Sequence, residues 1–197
     1  FTLQGTLPGA VRAISPDGVK AATWSGGGWH TVQESAFDPS RLEMSGAKLS
    51  LCDLSTGATL AALSCKGQYV NESAFSPDGK WFAAGDDSGM IYLLEPSAEK
   101  IRSVSLGDRI NELISCECLA FSKDVSRLYA SGLVRTRDQH TEWVVHGLWE
   151  YEIAYHKAQF QNQTNSILKI DVDAGVFVEA DNHGVAQVFS LENREHL

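Results

Sequence analysis

The segment Ala74-Phe75-Ser76-Pro77-Asp78-Gly79 decides how this chain folds. Its proline presets φ at a turn and its glycine accepts a positive φ, so the segment predicts a tight reversal between two strands. The chain contains an internal repeat, because three serines occupy equivalent positions in copies of this segment: Ser15, Ser76 and Ser122. The other copies are Ala13-Ile14-Ser15-Pro16-Asp17-Gly18, Ala120-Phe121-Ser122-Lys123-Asp124 and the weaker Lys169-Ile170-Asp171-Val172-Asp173-Ala174-Gly175.

Alternating and β-branched runs flank each copy of this turn and predict strands. The expected second strands cover residues 19–24, 81–85, 127–131 and 176–180, and the third strands cover 48–54, 90–95, 144–151 and 185–191. A fourth set, 1–7, 58–65, 101–106 and 155–161, precedes the hairpins. No segment longer than a turn or two has apolar residues at helical spacing, so we expect an all-β chain of about sixteen short strands.

The turn at 74–79, the Gly85-Asp86-Asp87-Ser88-Gly89 turn and the strand Ile91-Tyr92-Leu93-Leu94-Glu95 together resemble the WD40 repeat. The resemblance spans nearly the whole chain and implies a β-propeller built from four-stranded antiparallel blades. Four blades are visible within a single segment, 1–197, with limits at approximately 1–55, 56–97, 98–152 and 153–193.

The repeats are degenerate at two positions that the WD40 family usually fills in a fixed way. The upstream Gly-His pair is missing, as in Cys65-Lys66-Gly67, and only the third copy keeps the closing tryptophan. The usual hydrogen-bonded tetrad of the family is therefore not expected. The closing pairs are Cys52-Asp53, Leu94-Glu95, Trp149-Glu150 and Phe189-Ser190.

Most WD40 rings hold seven blades, so the resemblance implies that these four are an incomplete sector of a larger ring. Four such blades would leave two open blade faces, each an apolar patch larger than soluble monomers usually expose. We expect further blades or another subunit to cover those faces.

Composition excludes several classes of protein. A formal net charge of -9 opposes binding to nucleic acid, whose affinity comes from clustered Lys and Arg. No apolar run approaches the roughly 18 residues needed to span a membrane. The acidic charge and the unpaired cysteines favour a cytoplasmic location.

The cysteines and histidines show no spacing typical of a metal site. Cys52, Cys65, Cys116 and Cys118 lie in apolar, strand-like runs and include no C-x-x-C pair, which predicts buried thiols; a disulfide or a metal site is the alternative. The six histidines could meet around a propeller axis, but sequence spacing does not bring them together. We therefore expect no metal and no cofactor.

The sequence contains no motif of the common enzyme classes. A nucleophile elbow, an H-E-x-x-H helix, a phosphate loop and a dinucleotide fingerprint are all missing, which favours a non-catalytic protein. Gly26-Gly27-Gly28 has no following helix to direct amides at a phosphate, and Asp86-Asp87 occupies a structural turn.

Two stretches are longer than the connections that blades require, and they contain the candidate binding residues. The insertion at 25–46 contains Trp29, His30 and Phe37, and the excursion at 133–143 contains Arg135, Arg137 and Trp143. Trp and Arg are favoured anchors of protein interfaces. The alternative is that both stretches are ordered flaps whose aromatic residues pack on their own blades.

These observations lead to a primary hypothesis and two alternatives. The first is a scaffold for protein–protein interaction, the recognition or assembly part of a larger multidomain protein. The second is an enzyme or small-ligand-binding propeller with a polar site on the central axis. The third is a purely structural piece that completes a ring for its parent chain.

Overall fold

The structure is a computed structural model, and it describes residues 6–26, 28–32, 41–45, 47–67, 69–95, 100–107, 111–137, 141–164, 166–180, 183, 185–193 and 195–197. This part of the chain forms seventeen β-strands and no helix. All strand pairs are antiparallel, which confirms the all-β prediction.

The strands form four consecutive sheets and one separate hairpin. The first sheet contains β1 (Ala10–Ile14), β2 (Lys20–Ser25), β5 (Lys48–Asp53) and β6 (Thr59–Ser64). The second contains β7 (Val70–Phe75), β8 (Phe82–Asp86), β9 (Met90–Glu95) and β10 (Lys100–Ser105). The third contains β11 (Asn111–Phe121), β12 (Arg127–Arg137), β13 (Glu142–Glu152) and β14 (Lys157–Thr164). The fourth contains β15 (Ser166–Asp171), β16 (Val176–Ala180) and β17 (Ala186–Ser190), and the separate hairpin pairs β3 (Gly28–Val32) with β4 (Arg41–Ser45).

The sheets differ from the predicted repeats in two ways. The strands β6, β10 and β14, which were predicted to begin the following repeat, pair with the strands before them. The sheets therefore span residues 10–64, 70–105, 111–164 and 166–190. The fourth sheet has only three strands within the described residues. Beside β17, the Leu197 N–H donates to the Val188 carbonyl at 2.9 Å and the Ser190 N–H donates to that of Glu195 at 2.9 Å.

The three serine-containing turns have the same geometry, which confirms their equivalence. In each turn the serine hydroxyl donates to the carboxylate two residues later, at 2.5 or 2.6 Å. The same hydroxyl accepts the backbone N–H five residues later, at 2.9 Å. These bonds to the ionised form lower the pKa of the aspartates, which for Asp124 falls to about 2 with the Ser122 bond as the largest cause. The Ser-Asp pairs are Ser15–Asp17, Ser76–Asp78 and Ser122–Asp124.

In the third turn copy, Val125 adopts a backbone conformation that valine disfavours. Gly18 and Gly79 have φ of 69° in the left-handed region, and Val125 has φ of 59° at the equivalent position of the third copy. A β-branched residue in this region is strained. The turn geometry therefore persists without the glycine because the Ser-Asp bonds hold it.

Consecutive sheets contact one another through their first strands. The contacts run from β1 to β7, from β7 to β11 and from β11 to β15. Three apolar cores fill the spaces between the sheets, one core for each neighbouring pair. At Gly85 an added Cβ would lie 2.3 Å from Cys116 Sγ, so only the Cys116 side chain fits between β8 and β11 there.

The outer faces of the first and last sheets differ in character. On the first sheet, paired residues of β2 and β5 away from the second sheet are small or polar and at most 2% exposed. On the same face, Val11 pairs with Thr23 and is 47% exposed, and Ile14 pairs with Ala21 and is 57% exposed. On the fourth sheet, Val178 pairs with Val188, which is 38% exposed. The first-sheet residues are Ala21, Thr23, Ser50 and Cys52.

Candidate interaction site

The two sequence stretches that hold the candidate residues occupy equivalent places in the fold. In an antiparallel meander the connection between the second and third strands lies at the opposite end from the serine-containing turn. In the first sheet this connection carries the β3–β4 hairpin, and in the third sheet it is lengthened. In the second sheet it is only the turn 87–89. We call this end of the sheets the hairpin end.

The excursion predicted at 133–143 is an extension of the third sheet rather than a loop. Strands β11, β12 and β13 have 11 residues each, against five or six in the first two sheets. The additional pairs include Glu112 with Arg135, and Arg137 with Glu142. We call residues 111–115, 133–137 and 142–146 the arm. It extends the sheet by about 16 Å, since each strand residue rises about 3.3 Å.

The two candidate arginines form a closed network of four charges on the arm. Arg135 lies 3.3 Å from Glu112 and 3.1 Å from Glu142, and Arg137 lies 2.8 Å from Glu142. The side chains of this network are 34% to 52% exposed, so each pair contributes little stability by itself. The network fixes the long side chains across three strands and leaves no net charge among these four residues.

Trp143 lies on the opposite face of the arm, toward the second sheet. It pairs with Thr136, whose hydroxyl donates to Asn111 Oδ1 at 3.0 Å. Strand alternation places it on the same face as Val134 and Val145, which pack in the core between the second and third sheets. Trp143 is 39% exposed. The arm therefore presents one aromatic residue to solvent beside the end of the second sheet.

The end of the second sheet next to the arm adds an exposed tyrosine. Tyr69 is 54% exposed, and its backbone pairs with Asp87 through two bonds of 3.0 and 3.2 Å. The turn 87–89 packs closely against the base of the arm, since a Cβ added at Gly89 would lie 2.1 Å from the Leu113 carbonyl oxygen. Sequence reasoning missed Tyr69, because only the sheet pairing brings this residue beside the arm.

The candidate residues of the insertion lie partly in the separate hairpin. Trp29 pairs with Met44, and His30 pairs with Glu43. The alternation of strand residues places positions 29, 31, 42 and 44 on one face of the hairpin. Phe37 lies outside the described residues. The described part of the insertion is therefore a β-hairpin, whereas the sequence analysis assigned no strands to this stretch.

A buried carboxylate organises the base of the hairpin end in the second sheet. Asp86 is fully buried, and its Oδ2 accepts the Tyr92 hydroxyl at 2.7 Å and the Gly67 N–H at 2.8 Å. Its Oδ1 accepts the N–H groups of Ser88 and Met90, both at 2.9 Å. Burial and the bond to Asp86 raise the pKa of Tyr92, which keeps the phenol protonated as a donor.

A cleft among the described residues lies away from the hairpin end. Its volume is about 770 Å³, and it opens between the outer strands of the third and fourth sheets, at the end that carries the serine-containing turns. One wall includes Lys123, Arg127 and Glu150, and Arg127 lies 3.1 Å from Glu150. The opposite wall includes Val176 and Leu197. The cleft is open and polar, and it does not lie on the first strands.

The thiols are buried and free, as predicted. Cys52 and Cys116 are fully buried, and Cys65 and Cys118 are 8% exposed. Burial is the largest cause that raises the pKa of Cys65, to about 11, so its thiolate is scarce at neutral pH. Within the described ranges no group of three or more His, Cys, Asp or Glu residues is arranged to hold a metal ion.

Comparison with known proteins gives a fold likeness only. No family model matches the chain, and no curated protein matches it. A solved structure of hydrazine synthase from Kuenenia stuttgartiensis is similar, with a TM-score of 0.58 and 12% sequence identity over 91% of this chain and 51% of that chain. This chain therefore spans about half the length of the hydrazine synthase chain that it matches. In the part of the chain that the structure describes, no helix is long and apolar enough to cross a membrane.

Proposed function

We propose that this chain is a non-catalytic recognition scaffold that binds another protein through its hairpin end. The observation that carries this proposal is the position of the two elaborations. The first and third sheets both lengthen the connection between their second and third strands, and the sheet between them keeps a short turn. The two hairpins therefore flank the turn of the second sheet, and Tyr69 and Trp143 are exposed in the space beside it.

The chemistry of this end suits protein recognition. Exposed aromatic residues on a rigid scaffold supply large contact areas at low entropic cost, and they are common anchors of protein interfaces. The arm is held by strand pairing and by the four-charge network, so its aromatic residue is preorganised. Preorganised anchors increase affinity because less conformational entropy is lost on binding.

The proposal includes a place for this chain in a larger assembly. Consecutive sheets that contact through their first strands are the arrangement of propeller blades, and we propose that the four sheets are a sector of a WD40-like ring in a larger, cytoplasmic multidomain protein. The half-length match to a longer chain and the partly exposed valines of the fourth sheet support this proposal. Further blades or another subunit would then cover the fourth sheet.

The enzyme alternative has less support. The cleft of about 770 Å³ lies between outer strands of the third and fourth sheets, not on the first strands that would line an axis. The aspartates with a lowered pKa are exposed turn residues bonded to serine or threonine, and they do not converge on a cavity. A structural explanation accounts for each of these shifts.

A differential capture experiment tests the recognition proposal. The full natural protein would be used as bait in three forms: Trp143→Ala, Trp29→Ala and Tyr155→Ala. Tyr155 is a matched control because it is 79% exposed in the turn between β13 and β14, at the opposite end of the third sheet. We expect partner proteins to be lost from the two tryptophan variants and kept by the control. Equal recovery by all three baits contradicts the proposal.

A further inference from the structure

The arm carries a strand edge that is unpaired within the described residues. Strand β14 pairs with β13 from Glu152 only as far as His146, which faces Thr164. The segment from Glu142 to Val145 continues beyond that point and pairs with β12 on its other side. No other strand of the described ranges joins this edge. The edge therefore presents unpaired backbone groups in line with an existing ladder.

The residues on this edge are unusually apolar for an exposed position. Trp143, Val144 and Val145 follow one another, and Val144 is 53% exposed. Soluble proteins usually protect free edges with lysine, proline or a bulge, because an apolar edge is a template for another strand. The register between β12 and β13 has no bulge along the arm. This edge is suited to pairing with another strand.

Electrostatics favours a second copy of the chain as the occupant. Two copies with a formal charge of -9 each repel one another over most of their surfaces. The charges next to this edge balance, because Arg135 and Arg137 neutralise Glu112 and Glu142. The arm is thus a place where two copies can approach without local repulsion.

The geometry also permits a self-complementary pairing. In an antiparallel pair related by a two-fold axis, the same patch on both copies forms the interface. When the axis passes midway between the Val144 residues of the two copies, these residues face each other. Trp143 of each copy then faces Val145 of the other. Residues that face each other then lie on the same side of the joined sheet, as strand pairing requires. These three facing pairs are apolar, and the new ladder ends there because Glu142 would face His146, which already pairs with Thr164.

We propose that the chain forms a two-fold dimer by antiparallel pairing of β13 edges centred on Val144. The pairing is short, so the interface falls at the low end of protein interfaces, and we expect a dissociation constant on the order of 10 µM or weaker. The dimer does not depend on the recognition role proposed above, although Trp143 takes part in both. It is centred on Val144, which lies on the arginine face of the arm, whereas recognition concerns the face toward the second sheet.

Sedimentation equilibrium of the chain and of two matched valine variants tests the proposal. We expect the mass of the wild type to rise with concentration from 21.5 kDa toward twice that value. Val144→Lys should weaken this association at least tenfold. Val19→Lys makes the same change beside the first serine-containing turn, at a residue 43% exposed, and should leave the association unaltered. A wild type that stays monomeric, or a dimer that Val144→Lys weakens no more than Val19→Lys does, overturns the proposal.

A charge-pair experiment tests the register and guards against misfolded variants. In the proposed dimer residue 144 faces itself, so Val144→Lys and Val144→Glu should each be monomeric alone. Mixed together they should form a heterodimer, because opposite charges then face each other across the axis. Circular dichroism would check that both variants keep the wild-type spectrum. Folded variants that remain monomeric in the mixture contradict the pairing centred on Val144.

Discussion

Replacing Tyr92 with phenylalanine should destabilise the chain by about 3 kcal/mol. The hydroxyl donates to the fully buried Asp86 at 2.7 Å and accepts the Lys66 N–H at 2.8 Å. A bond to a charged group contributes about 1.5–3 kcal/mol, and an amide left without a partner costs about 1–3 kcal/mol. Some relaxation of the Lys66 backbone keeps the total near the lower end of the sum.

The matched control is Tyr151→Phe. Tyr151 is 3% exposed against 2% for Tyr92, but among the described residues its hydroxyl is hydrogen-bonded to the exposed His156, at 3.0 Å. We expect Tyr151→Phe to lower the free energy of unfolding by about 1 kcal/mol, as for the loss of a typical neutral hydrogen bond. Thermal and urea unfolding would measure both variants, with melting temperatures about 6–12 °C lower for Tyr92→Phe and about 2–4 °C lower for Tyr151→Phe. A loss in Tyr92→Phe no larger than in the control would refute the reasoning.

Three further predictions concern the turns and the thiols. Gly79→Ala should cost about 1 kcal/mol in urea unfolding because φ is 69°, although the nearest atom to the new Cβ is 3.8 Å away. Above pH 4 the wild type should melt at a higher temperature than Asp124→Asn. This difference in melting temperature should shrink as the pH falls toward the folded-state pKa of Asp124, about 2, because the carboxylate becomes protonated. A difference that stays constant with pH contradicts this prediction. At pH 8 the native thiols, including Cys65 with a pKa of about 11, should react with a thiol reagent far more slowly than after unfolding.

Local patterns predicted the strands and the serine-containing turns well. Residues 176–180 and 90–95 are strands with the predicted bounds. The turn copies at Ser15, Ser76 and Ser122 have one geometry because all their bonds lie within five residues of the serine. Such features depend on short-range contacts, which a sequence displays directly.

Features that depend on distant residues were not predictable in the same way. The arm was predicted only as an excursion at 133–143, because Glu112, which binds Arg135, lies on another strand. The Asp86 network needs Gly67 from the connection before the second sheet, and no local pattern joins these residues. Of the six candidate residues, Arg135, Arg137 and Trp143 lie on one arm, on two different faces. Their division between those faces follows from register, which spacing alone does not reveal.

The serial contacts between sheets imply that cooperativity passes along the chain from neighbour to neighbour. The main inter-sheet contacts join consecutive sheets through β1, β7, β11 and β15. Stability in such an array is approximately a sum of unit and nearest-neighbour terms. The second and third sheets each have two neighbours, so their amide hydrogens should exchange most slowly, and opening should begin at the first and fourth sheets. A chain built this way can gain or lose a terminal sheet during evolution without rebuilding its centre.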